Sequence, residues 1–316
     1  MNTTTGFYPE GSLIDTPENR YYLRSRQNLG EALLQGRILE ARAVICTAAH
    51  DLVVELGCMK GVIPRNEGAA GIKEGSVRDI ALISRVNKPV CFRVTAFERD
   101  ETGETVAVLS RRAVQEDCIR LYTGRLVPGD IIPAQVTHLE QFGCFVDIGC
   151  GVISLIPIDL ISVSRISHPS DRFCVGQSVY AVVRSVENGR ITLSHKELLG
   201  SWEENAAGFS CGETVAGIVR SVESYGVFVE LAPNLAGLAE LREGVFAGQH
   251  ASVYIKSIIP ERMKIKLIIV DCFDARYRPV PPCYRLTSGH ISRWRYSPDC
   301  CKKVLETAFD EAGPDA

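Results

Sequence analysis

Two pairs of aromatic residues straddle a glycine in this sequence, Phe142-Gly143-Cys144-Phe145 and Tyr225-Gly226-Val227-Phe228. Each pair is followed downstream by a short apolar run that opens on a cation, Arg190-Ile191-Thr192-Leu193 and Lys264-Ile265-Lys266-Leu267. An exposed ring offers a stacking surface to any nucleobase, worth roughly 1–3 kcal/mol per base. A cation beside it neutralises a backbone phosphate. Phe142 and Phe145 with Arg190, and Tyr225 and Phe228 with Lys264, are therefore candidates for gripping an unpaired strand. The competing reading is that one ring of each pair fills a protein core. The chemistry in either case is that of holding, not of making bonds. The sequence has no Gly-x-x-x-x-Gly-Lys phosphate loop, no Gly-x-Ser-x-Gly elbow and no His-Glu-x-x-His. Its acidic residues show no pairing suited to acid–base work, and no catalytic residue is assigned.

The elements that must position these residues recur. One module opens at Gly129-Asp130, alternates apolar and polar residues through His138, and passes Phe142 to Gly149. It continues through Ile153 to Pro157 and Val179 to Val186 and closes at Leu193-Ser194-His195-Lys196. The pattern starts again at Gly212, 83 residues after Gly129, and runs to Leu267. Repetition at a fixed period marks one structural unit used more than once. Five short strands with glycine at the bends predict a small closed barrel, because closure removes the unpaired edges that so small a sheet must otherwise protect. Gly143 and Gly226 would relieve crowding where a strand coils sharply. The period of two along a strand then brings the rings of each pair close to one face.

Residues 35–112 read as a diverged third copy. His50-Asp51-Leu52-Val53 stands where the aromatic pair should be, and Val106 replaces the strand-five cation. This module suits protein docking better than strand capture. Its segment bearing Arg65, Lys73, Arg78, Arg85 and Lys88 reads equally as a basic patch or a solvated loop. Helical spacing predicts a helix from Asn19 to Gly36 and connectors at Arg112–Leu121 and Lys196–Phe209, with Trp202 packing against a barrel. The insert Asp159 to Arg172 carries Arg165, His168 and Arg172, and the last two join the candidate contacts. Residues 1–19 read as disordered. The expected organisation is a tail and helix (1–34), barrels at 35–112, 123–196 and 209–271, and a tail (272–316) rich in Arg and Pro and then acidic.

A chain of 316 residues holds two or three domains. Its 46% hydrophobic and 23% charged content is that of a soluble globular protein. No apolar run of membrane-spanning length occurs and the N-terminus lacks a signal pattern, so a cytoplasmic location is expected. A net charge of −3 excludes a bulk polycation and leaves nucleic-acid contact to local patches. The twelve cysteines are scattered without Cys-x-x-Cys and read as reduced thiols. Cys283, His290 and Cys300-Cys301 could supply metal ligands, but their spacing fits no common zinc pattern, and no metal or cofactor is assigned.

Phe142-Gly143-Cys144-Phe145-Val146-Asp147, Tyr225-Gly226-Val227-Phe228-Val229-Glu230 and Gly189-Arg190-Ile191-Thr192-Leu193-Ser194-His195-Lys196 together resemble the S1 RNA-binding domain. This is the OB-fold repeat named after the multi-repeat protein of the bacterial small ribosomal subunit. The resemblance covers residues 123–270 well and 35–112 weakly, and the whole chain resembles a short three-repeat relative of that protein. It implies an all-β chain of tandem five-stranded OB-fold barrels, joined by short helices, with an N-terminal helix and an irregular C-terminal tail. It also implies a non-catalytic protein that holds single-stranded messenger RNA near the small ribosomal subunit, with Phe142, Phe145, Arg190, His168, Arg172, Tyr225, Phe228 and Lys264 as contacts. The sequence departs from the family in more than one respect, and Glu187 only approximates the acidic residue expected before the strand-five Arg. Pro64, Pro157 and Glu240 stand where the family has a histidine on the RNA face, so each module should bind weakly and tethering should supply the affinity. Two alternatives stay open, a protein-interaction scaffold and an accessory of a ribonuclease such as polynucleotide phosphorylase.

Overall fold

The computed structural model describes residues 6–100, 102–187, 189–275 and 280–309. Arg276, Arg278 and the acidic residues beyond Phe309 lie outside them. The chain forms two compact units, residues 1–125 with 147–153, and residues 126–146 with 154–316.

The first unit opens with α1 (Pro17–Leu23) and α2 (Arg26–Gln35). The single expected helix is two, because Ser25 is extended and its hydroxyl caps α2 by accepting from the Asn28 amide. Gly36 ends α2 in the left-handed conformation at φ 60°, as a C-terminal glycine allows. The expectation of disorder through residue 19 fails for the described residues. The buried Glu40 carboxylate accepts the amides of Gly11, Leu13 and Ile14 at 3.0, 2.8 and 3.1 Å. The buried Glu10 carboxylate is held by Arg111 at 2.6 and 3.0 Å. These long-range partners give the segment a fixed place that its composition does not suggest. Burial raises the Glu40 pKa to about 7.

The barrel of this unit comprises β1 (Leu39–Cys46), β2 (Leu52–Glu55), β3 (Lys60–Ile63), β4 (Pro89–Arg99) and β5 (Thr105–Ser110), with the short α3 (Ile80–Ile83) before β4. It closes in the order β1-β2-β3-β5-β4, with β3 and β5 parallel. Leu39, Leu52, Val54, Ile63, Phe92 and Leu109 fill it. The amphipathic connector α4 (Arg112–Leu121) follows, burying Val114 and Cys118.

The second unit repeats the plan with β6 (Ile131–Glu140), β7 (Gly143–Asp147), β8 (Ile153–Pro157), β9 (Ser178–Glu187) and β10 (Arg190–Ser194), the β7–β8 turn grouping with the first unit. After α5 (Trp202–Ala206) come β11 (Thr214–Glu223), β12 (Gly226–Ala232), β13 (Leu235–Ala239), β14 (His250–Ile259) and β15 (Lys264–Phe273). Both barrels are closed, and each keeps a parallel contact between its third and fifth strands. All three sheets are thus the five-stranded barrels expected of the sequence.

Two glycines do what crowding requires. A Cβ on Gly143 would sit 2.6 Å from the Ile156 carbonyl oxygen, and one on Gly226 would sit 2.6 Å from that of Ala239. Gly226 also has φ +154°, which a side chain would strain.

The connectors and the tail bind the second unit together. Trp202 is buried in one cluster with Val229, Leu235, Ile255, Trp294 and Tyr296, so this linker ring packs internally. The largely irregular tail carries one small ribbon, β16 (Arg293–Arg295) with β17 (Glu306–Ala308). His195 is fully buried against Tyr284 of this tail. Its Nδ1 donates to the Ile161 carbonyl at 2.7 Å, and its Nε2 accepts from the Tyr284 hydroxyl at 3.1 Å. That hydroxyl accepts the Tyr180 amide at 3.1 Å. Burial pushes the His195 pKa down to about 4, which keeps the ring neutral and fit to accept at Nε2. All twelve cysteines are free thiols, and no cluster able to hold a metal forms among the described residues.

Candidate nucleic-acid interface

The candidate site is best built from the strand register of the third barrel. Phe228 on β12 lies opposite Leu238 on β13, and Leu238 lies opposite Lys266 on β15. Side chains in such a row share one face of the sheet. In β15 the lysines are exposed while Ile265 and Leu267 are buried, so this face is the outer one, and Lys264 stands on it two residues before Lys266. Tyr225 precedes the strand, is 68% exposed, and meets Phe228 edge to face with ring centroids 6.0 Å apart. Tyr225, Phe228 and Lys264 line one groove of about 480 Å³. Arg262 and Lys303 also line it.

The second barrel has the same plan. Phe142 is 56% exposed and meets Phe145 edge to face at 5.9 Å. Phe145 is half-buried, as is Phe228. Thr192 on β10 pairs with Leu155 on β8, as Lys266 pairs with Leu238. Arg190 is two residues before Thr192 and exposed, so it holds the station of Lys264. His138, not anticipated as a site residue, adds a third ring to this face, nearly parallel to Phe145 at 27° with centroids 6.4 Å apart. Its Nε2 lies 2.6 Å from Glu140 Oε1. Its place at the end of an alternating strand was the available signal. Lys266, also unanticipated, follows from Lys264 by the period of two.

In the first barrel the equivalent row is Val53, Val62 and Val108, paired through β2, β3 and β5. Val106, at the station of Arg190, is buried. The row has no ring and no cation. His50 is engaged instead with Asp79 at 3.7 Å, and Arg65 holds the same carboxylate at 2.6 Å.

Two residues of the insert behave differently from expectation. His168 is half-buried, and its Nδ1 accepts the Ser170 amide at 3.1 Å and caps a single 3₁₀ turn. Arg172 must be corrected outright, since it is 6% exposed and bonded to the Glu230 carboxylate. Arg220 grips the same carboxylate at 2.9 and 3.1 Å. Desolvation lowers the Arg172 pKa, yet a buried guanidinium facing a carboxylate stays charged. The insert docks on the third barrel through this pair, and the Val163 amide donates to Asn234 Oδ1 at 2.9 Å. Arg172 is therefore a structural residue and not a surface contact. Glu240 is exposed just after β13, where it places a negative charge next to β12.

The family model for the S1 RNA binding domain matches residues 126–196. The small ribosomal subunit protein bS1 of Staphylococcus haemolyticus is 30% identical over 256 residues, covering 78% of this chain and 62% of that protein. That of Staphylococcus aureus strain COL is 29% identical over 278 residues, covering 85% and 66%. The chain thus spans about two thirds or less of the length of these relatives. A solved multidomain protein with nucleic acid binding domains from Streptococcus pneumoniae aligns over 74% of the chain at 13% identity, with a TM-score of 0.25. No helix among the described residues is long and apolar enough to cross a membrane. Residues 126–196, which hold the second barrel, thus match the S1 RNA-binding domain, and most of the chain's length is similar to bS1.

Proposed function

We propose that this protein binds single-stranded RNA, messenger RNA included, without catalysing a reaction, and that it works in the cytoplasm at the small ribosomal subunit during translation. The observation that carries this reading is the repeated outer face: an exposed ring meeting a half-buried one, and a cation at the same strand-five station, in both the second and third barrels. Rings of this kind accept bases of any sequence, and the cations take the phosphates. Phe142, Phe145 and Arg190 form one contact set, and Tyr225, Phe228 and Lys264 the other. His168 is a peripheral contact on the insert. Similarity to proteins named for the small ribosomal subunit supports that partner. The test is fluorescence anisotropy on labelled single-stranded RNA with the double variant Phe142→Ala/Tyr225→Ala. A loss of at least tenfold with unchanged circular dichroism is expected, and unchanged affinity rejects the reading.

One observation favours a second role for the first barrel. Its apolar row of Val53, Val62 and Val108 suits docking to protein, which would leave capture of RNA to the other two. Val62→Glu should then weaken co-sedimentation with small subunits while leaving RNA affinity intact. Co-purification with a nuclease in place of subunits would favour the ribonuclease-accessory role.

A further inference from the structure

The groove of the third barrel is not made by the barrel alone. Tyr296, Lys303 and Leu305, all from the segment after the last barrel strand, line it together with Tyr225, Phe228 and Lys264. That segment is held in place. The Tyr296 hydroxyl donates to the Asn234 carbonyl at 2.5 Å, and its amide donates to the Leu305 carbonyl at 2.9 Å. The Leu305 amide in turn donates to Ser297 Oγ at 2.7 Å. The β16–β17 ribbon pairs the two arms of the loop that carries Lys303. Lys303 is thus an exposed cation on a fixed wall.

The charge of the lining is one-sided. It contains Arg262, Lys264 and Lys303 and no carboxylate. Among the described residues none of these three cations takes part in an ion pair, whereas Arg172 and Arg220 are both paired with Glu230. Tyr225 and Phe228, the least buried rings of the groove, and three uncompensated cations call for a ligand with flat π faces and more than one negative charge, which a single RNA strand supplies.

We infer that the C-terminal segment is part of the RNA site of the third barrel and that Lys303 is a phosphate-binding residue of it. This gives the RNA face of the third barrel a wall that the barrel itself does not make. The inference rests on the RNA-binding reading and is testable apart from it.

The experiment compares Lys303→Ala, Lys302→Ala and Tyr225→Ala in the full chain, with labelled oligouridylate as the probe and anisotropy read across a salt series. Lys302 is the exposed neighbour that does not line the groove, so it reports any general effect of lost charge. Lys303→Ala should weaken binding about three- to tenfold and reduce the slope of log K against log salt by about 0.7, the value for one phosphate contact on a single strand. Lys303→Glu should weaken it further, and Lys302→Ala should do markedly less than either. If Lys303→Ala matches Lys302→Ala while Tyr225→Ala still weakens binding, the inference is overturned and the RNA-binding reading stands. If all three bind as the wild type does, both fall.

Discussion

Arg172, in the insert of the second barrel, donates to the carboxylate of Glu230 on β12 of the third. Glu230 is the shared anion for the buried Arg172 and the partly buried Arg220, which also meets Asp171 at 3.3 Å, so its side chain compensates a guanidinium that water barely reaches. The pair fixes the insert, and with it Val163 and Ser164, at the edge of the groove that holds Tyr225.

Removing that anion should therefore cost more than a surface ion pair would. Breaking one side of a buried pair typically costs about 3–5 kcal/mol, because the remaining charge is stranded. Glu230→Ala should lower the denaturation midpoint of the second unit accordingly, as read by urea titration of intrinsic fluorescence. A change under about 1 kcal/mol, the range of exposed pairs, would contradict the buried bridge.

The buried imidazole of His195 makes stability depend on pH with a definite sign. Its folded pKa of about 4 lies below the ordinary 6.5, so between those values the unfolded chain binds a proton that the folded chain refuses. Stability from this group is full above pH 6.5, falls as pH drops towards 4, and levels off below, a loss of up to about 3 kcal/mol. His195→Gln should flatten that part of the profile for the second unit. Glu40 acts oppositely in the first unit. Its pKa is raised from 4.5 to about 7, so its contribution declines as pH rises between those values. Denaturant titrations from pH 4 to 7.5 on the wild type and each variant separate the two, and parallel curves for wild type and His195→Gln would rule out the buried neutral ring.

Gly226 meets two demands, the close approach of the Ala239 carbonyl and a backbone angle that a side chain strains. Gly226→Ala should destabilise the third barrel by about 1–3 kcal/mol. Gly212→Ala is a useful comparison, because its φ is also positive but nothing stands within 4 Å of the added carbon. The expected order is Gly226→Ala worse than Gly212→Ala in thermal melts, and the reverse order would refute the crowding argument.

His138 and Lys266 extend the two faces beyond the residues first singled out. His138→Ala should weaken single-stranded RNA binding by about threefold to tenfold through lost stacking, with little change in salt dependence. Lys266→Ala should weaken it similarly while lowering the salt slope. Anisotropy titrations at two or more salt concentrations distinguish these signatures, and equal slopes for both variants would argue against the assignment of ring and cation roles.

Much of this protein was legible in the order of its residues. The three barrels follow from alternation and from glycines at the bends, because strand faces repeat every second residue and a bend that buries a carbonyl leaves no room for Cβ. The equivalence of Arg190 and Lys264 was readable for the same reason, since a fixed strand length puts equal offsets at equal stations. The helix at 17–35 was located, but its break at Ser25 was not, because a serine suits both a helix interior and a cap and only the backbone distinguishes them.

What the sequence alone determined was therefore local: the strands, the turns, and which positions face outward on each sheet. Tertiary structure decided the rest. Arg172 looked like a surface cation until a partner 58 residues away buried it. His195 closed a familiar strand motif until Tyr284, 89 residues on, roofed it. Lys303 sat in an unpatterned tail until the fold carried it to the wall of a groove. Each outcome depends on a contact between residues distant in sequence, and periodicity along a chain carries no information about which distant residue arrives.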